Sequence, residues 1–149
     1  MSMEKELLNT FDKELLIKDL SSRLPYGVKV NGLFLIYDKD KDKILYKECV
    51  KELSYNHLSR YWTLKPYLFP LSSMTEEQKK EILKRYNLHT HGLCIEITNH
   101  SEGYWDDDNS CNLQDYLWLI DWFNKNHFDY RGLIEKSLAL DATNLGIYE

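Results

Sequence analysis

The sequence predicts an α+β fold: a small antiparallel β-sheet packed by an N-terminal helix and a central aromatic-rich helix, with two shorter helices. Three observations predict it. The segment Asn112–Ile134, NLQDYLWLIDWFNKNHFDYRGLI, places Leu113, Tyr116, Leu117, Ile120 and Phe123 at helical intervals and adds Trp118, Leu119 and Trp122 outside that stripe. A helix apolar over most of its circumference belongs in the interior. Residues 26–50 instead alternate apolar and polar positions, as strands do, and the residues before Pro25 return to a helical period. At 149 residues, the chain is expected to form one domain (1–149), long enough to bury roughly two-thirds of its unfolded surface.

In chain order, Glu4–Ser22 is the first helix, with Leu8, Phe11, Leu15, Leu16, Ile17, Leu20 and Leu24 supplying its apolar stripe. Asn9 or Thr10 can restart it as an N-cap, and Pro25 ends it, because the residue before proline is pushed out of the α region. Tyr26–Tyr37 alternates around Asn31-Gly32, a dipeptide that favours tight turns, and Leu33–Tyr37 is apolar on both faces. The acidic and basic run Asp38–Lys43 is a solvated turn before a second strand, Ile44–Val50. Its Asp38, Asp40 and Asp42 have calcium-loop spacing. Lys43 stands where such a loop needs glycine and Cys49 where it needs an acid, so the turn is the expected reading.

Pro66 and Pro70 bracket an extended apolar crossing, Tyr67–Phe69. Thr75 and Gln78 form a capping box for a surface helix carrying Lys79, Lys80, Lys84 and Arg85, read as a solvated face. Leu88–Thr98 is expected to be a third strand, and His100–Ser110 a polar loop. Asn112 caps the central helix, Asp129 caps a short helix from Tyr130 to about Leu138, and the tail ends loosely.

Composition bounds the function classes. A net charge of −5 does not favour nucleic-acid binding, which needs a field that draws in phosphate. The 3 cysteines form no disulfide framework, and the charged N-terminus resembles no secretory leader. No run approaches the length of a membrane span. A cytoplasmic protein is expected. The 11 tyrosines suit half-buried positions with one wet end, at core edges or on a recognition surface.

Three blocks, LPYGVKV (Leu24–Val30), KPYLFPLSSMTEEQK (Lys65–Lys79) and DWFNKNHFDYRGLIEKSLAL (Asp121–Leu140), stand in an order and spacing that resembles a family of small hypothetical proteins carried by gut Bacteroides-type bacteria and their phages. Phe69 departs from that pattern, where arginine is expected. The resemblance implies an intracellular accessory protein associated with a phage or other mobile element, and it brings no catalytic residues. The divergent segments between the blocks are then where a specific function is expected.

Candidate chemistry concentrates in residues 87–112. His89, His91 and Cys94, with His100 and Cys111 nearby, are ligand types that zinc accepts, but their spacing matches no established site. No cofactor is therefore predicted, zinc being the lesser alternative. His57 in HLS and His100 in NHS suggest, more weakly, a phosphodiester-directed or metal-dependent enzyme using His89, His91 or His100. Phosphate-binding glycine loops are absent from the 6 glycines. Tyr104 and Trp105, followed by Asp106, Asp107 and Asp108, make a plausible contact for a protein surface. The expected function is non-catalytic binding of a protein partner, such as inhibition of a host system. An enzyme and a small-nucleotide scavenger are the alternatives.

Overall fold

The computed structural model describes residues 8–86 and 113–149, and the statements below concern those residues. The fold is α+β, with a mostly antiparallel open sheet of five strands in the order β2-β1-β3-β4 and with β5 also joined to β3.

Helix α1 spans Thr10–Arg23. Asn9, one of the two expected N-caps, caps it: the Asn9 Oδ1 accepts a 2.7 Å hydrogen bond from the Asp12 amide. The earlier part of the expected helix, Glu4–Leu7, lies outside the described residues. Pro25 lies in a 3-10 turn, Leu24–Tyr26, and Gly27 leaves that turn at φ 72°, a left-handed backbone that glycine adopts without steric cost.

Strands β1 (Lys29–Asp38) and β2 (Lys43–Glu52) pair along their whole length, from Lys29 opposite Glu52 to Asp38 opposite Lys43. The turn expected at Asn31-Gly32 is therefore not made. Gly32 serves a different purpose: a Cβ there would lie 2.6 Å from the Leu64 Cδ2, so glycine lets Leu64 pack against the middle of the strand. The chain reverses instead at the expected acidic turn, where the Asp38 Oδ1 accepts from the amides of Asp40 (2.9 Å) and Lys41 (3.2 Å).

A 3-10 segment, Tyr55–Thr63, leads into β3 (Lys65–Pro70), the hub of the sheet. β3 meets β1 antiparallel at Pro66 and Lys65. It then takes two short parallel strands, β4 (Phe128–Asp129) at Phe69 and Pro70 and β5 (Leu140–Asp141) at Tyr67 and Leu68. The segments Leu24–Val30, Lys65–Lys79 and Asp121–Leu140 thus converge on this strand. Helix α2, Glu76–Tyr86, follows with the predicted capping box, Thr75 and Gln78 exchanging backbone and side-chain bonds at 2.9 and 3.1 Å.

Helix α3 spans Leu113–Lys125 and is central, but its buried face is not the predicted stripe. Leu113 and Leu117 are 69% and 51% exposed, whereas Leu119, Trp122 and Phe123 are buried with Asp115 and Asn124. The helix is rotated so that its largest rings enter the core. Trp122 stacks on Phe128 at 5.7 Å, and its Nε1 donates to the Glu81 Oε1 at 3.0 Å. Bringing the tryptophan inward buries more apolar area than a leucine at the same contact would.

The short helix expected over Tyr130–Leu138 is a series of turns. Asp129 does act as a cap, its two carboxylate oxygens each accepting a 2.9 Å bond, from the Leu133 and Ile134 amides. Gly132 and Ser137 then adopt positive φ, which stops a helix from propagating. Nor is the tail loose. The Ala142 amide donates to the Leu68 carbonyl at 2.8 Å, and the Tyr148 hydroxyl donates to the Tyr67 carbonyl while accepting from the Lys29 amide.

Two apolar clusters fill the interior. One joins Leu16 and Leu20 of α1 to Val28, Val30 and Phe34, to Leu64 and Leu68, and to Leu133 and Leu138. The other joins Leu71, Met74 and Ile82 to Leu119, Trp122, Phe123 and Phe128. No helix among the described residues is long and apolar enough to cross a membrane.

Candidate partner-binding face

The β1–β2 hairpin is organised by strand alternation. Even-numbered residues of β1 turn toward α1, so Val30 and Phe34 are buried. Odd-numbered residues turn away. At the base of that outer face the C-terminal residues Ile147 and Tyr148 lie over Lys29. Further along, Leu33, Leu35 and Tyr37 of β1 and Ile44, Tyr46 and Val50 of β2 are 40–67% exposed. The register sets Leu35 opposite Tyr46 and Tyr37 opposite Ile44, so these side chains form a continuous apolar strip, with Glu48 opposite Leu33 as its acidic interruption. Single exposed apolar side chains are ordinary; a contiguous strip across two strands is the feature that makes this face the candidate site.

The other face of β2 carries Lys43, Lys47 and Lys51, all exposed. Arg60 joins Lys51 there around Phe34. The Lys51 Nζ and the Arg60 guanidinium lie 5.5 and 5.4 Å from its ring centroid, and the His57 ring packs at 4.9 Å. Burial lowers the His57 pKa, and Arg60 and Lys51 lower it further. Among the described residues, β1 beyond Asn31 has β2 as its strand partner, and β2 is the end strand of the sheet. The hairpin therefore presents an apolar face, a basic face and a backbone edge together.

A second place where charge collects is sealed inside. Asp19 and Arg23 are fully buried, and the Arg23 Nε donates to the Asp19 Oδ2 at 2.7 Å while its Nη2 donates to the Phe128 carbonyl at 2.7 Å. Burial raises the Asp19 pKa against the opposing pull of Arg23 and Arg131. Arg131 approaches the Asp19 Oδ1 only at 3.4 Å without hydrogen-bond geometry, and the Arg23 and Arg131 guanidinium groups both lie over the Tyr130 ring, at 5.1 and 5.0 Å from its centroid. Perturbed buried charges can mark active sites, but this group joins α1 to β4 and offers no substrate access. The shallow depression beside it, lined by Ile17, Lys18, Ser21, Ser22 and Arg131, lies at the C-terminal end of α1, where exposed carbonyls disfavour anions.

No family model, curated protein or solved structure matches this chain. Function must be read from the site itself.

Of the residues singled out in the sequence, His89, His91, Cys94, His100 and Cys111 lie outside the described residues, as do Tyr104, Trp105, Asp106, Asp107 and Asp108. Among the described residues, no three histidine, cysteine or acidic side chains are grouped to hold a metal. His57 is engaged structurally: its Nδ1 accepts from the Ser54 amide at 3.1 Å, and the Ser59 hydroxyl of the same HLS motif donates to the Asn56 carbonyl. Trp122 belongs to the core, and Trp118 lies half-buried under the Arg85 guanidinium at 5.5 Å. Sequence reasoning missed the hairpin face. Its signal is the apolar run Leu33–Tyr37, a pattern that an interior strand shares, together with Ile44, Tyr46 and Val50 on one side of the next strand.

Proposed function

We propose that this protein is a non-catalytic intracellular accessory protein, of phage or mobile-element type, that acts by binding another protein through the outer face of the β1–β2 hairpin. One observation carries the reading: Leu33, Leu35, Tyr37, Ile44, Tyr46 and Val50 form an exposed apolar strip on one side of a paired hairpin. Aromatic and aliphatic side chains of this kind anchor protein interfaces. Tyr104, Trp105 and Asp106–Asp108 are proposed as a second contact of the same partner, and inhibition of a host system is the activity that such binding would serve.

The test is affinity purification of the full chain from its source cells, comparing the native sequence with Leu35→Glu/Tyr46→Glu. Both positions are exposed, so the variant is expected to keep its thermal midpoint and to lose a protein that the native chain enriches. Identical sets of captured proteins would overturn the reading.

A further inference from the structure

We propose that β2 takes its partner by strand addition, and that the occupant is an extended segment of a separate protein in which apolar residues alternate with Asp or Glu. This rests on the binding role given to the hairpin above and names the chemistry of what it binds. Along β2, Ile44, Tyr46 and Val50 point to the apolar side, and Lys43, Lys47 and Lys51 point to the other. A strand laid against this edge places its directly opposite residues on the same sides. Its apolar residues then meet Ile44, Tyr46 and Val50, and its acidic residues meet the lysines. Backbone pairing supplies affinity, and the alternating side chains supply selection.

Charge decides among occupants. Lys43 already faces Asp38 across the ladder, but Lys47 faces Phe34 and Lys51 faces Val30, so these two ammonium groups are not offset within the hairpin register. Arg60 adds to the same side. A second copy of this chain is the wrong occupant. The two symmetric antiparallel registers that use nearly the whole strand are centred on Lys47 or on Glu48. The first sets Lys47 against its own copy and Lys43 against Lys51, and the second sets Glu48 against its own copy. Like charges directly opposite destabilise a pair. Lysines on an edge strand commonly discourage indiscriminate pairing. Here they exclude basic and self-pairing strands and leave acidic ones admissible, which is selection by repulsion as well as attraction. The position opposite Glu48 suits a basic or neutral polar residue.

The probe is a fluorescein-labelled peptide alternating Glu and Val, titrated with the full-length protein and followed by fluorescence anisotropy. Its controls are a peptide of the same composition with Glu and Val in separate blocks, and a peptide alternating Lys and Val. Saturable binding of the alternating acidic peptide is expected, weakening as salt rises, with the block and basic peptides on the order of tenfold weaker. Lys47→Glu/Lys51→Glu changes exposed side chains only, and it is expected to reverse the preference toward the Lys–Val peptide. Equal binding of the block peptide, no saturable binding, or a preference unmoved by the charge reversal would overturn the inference. If Leu35→Glu/Tyr46→Glu loses its cellular partner while the Glu–Val peptide does not bind, the binding face stands and strand addition falls.

Discussion

Residues whose neighbours leave them no freedom make the sharpest tests of this fold. Gly32 is one, since any side chain there runs into Leu64, which is itself 1% exposed and packed in the core. Gly32→Ala is expected to lower stability by about 1–3 kcal/mol in urea denaturation, the usual cost of overpacking; no loss would show that Leu64 can withdraw. His127 is another. Its ring stacks on Tyr148 with centroids 3.8 Å apart, its Nδ1 is buried without a partner, and burial, followed by Arg23 and Lys29, lowers its pKa from 6.5 to about 4. The folded state therefore binds fewer protons than the unfolded state between those values. The stabilisation is complete above pH 6.5 and is lost as pH falls through about 4, amounting to up to about 3 kcal/mol. Urea midpoints of the native protein are expected to fall more steeply across that window than those of His127→Gln. Parallel slopes would remove His127 from the account.

At the scale of elements, two kinds of join hold the molecule together, and they respond differently to mutation. The apolar joins are distributed: α1 meets the sheet through Leu16, Leu20, Val30, Phe34 and Leu68, none of which acts alone. The join between α1 and β4 runs instead through one buried guanidinium, since Arg23 links Asp19 to the Phe128 carbonyl. Arg23→Met strands the Asp19 carboxyl and is expected to cost about 3–5 kcal/mol, whereas Asp19→Leu/Arg23→Met together are expected to recover most of that loss. A denaturation cycle over the four proteins measures the coupling; additive losses would mean the pair does not act as a unit. The hairpin contrasts with both joins. Its outer face is exposed, so substitutions there are expected to cost the folded state little.

Across the whole molecule, legibility in the sequence followed how local each cause was. Thr75 with Gln78, Asn9 with Asp12, and Asp38 with the following amides are short-range hydrogen-bonding patterns, and each was readable because every partner lies within a few residues. Helix α3 was found by its period, but its orientation was not, because Leu117 and Trp122 compete for one interior and the choice rests on Phe128, Glu81 and Met74 from other elements. The turn misassigned to Asn31-Gly32 and the helix misassigned after Asp129 share a cause: a local preference overruled by distant packing, from Leu64 in one case and from the strands meeting β3 in the other. The sequence by itself determined the α+β class, the caps at Asn9 and Thr75 and the chain reversal at Asp38–Lys43, because caps, periods and turn chemistry act between near neighbours. Tertiary structure alone decided which apolar residues stay outside, because an alternating strand has two equivalent faces until α1 covers one of them.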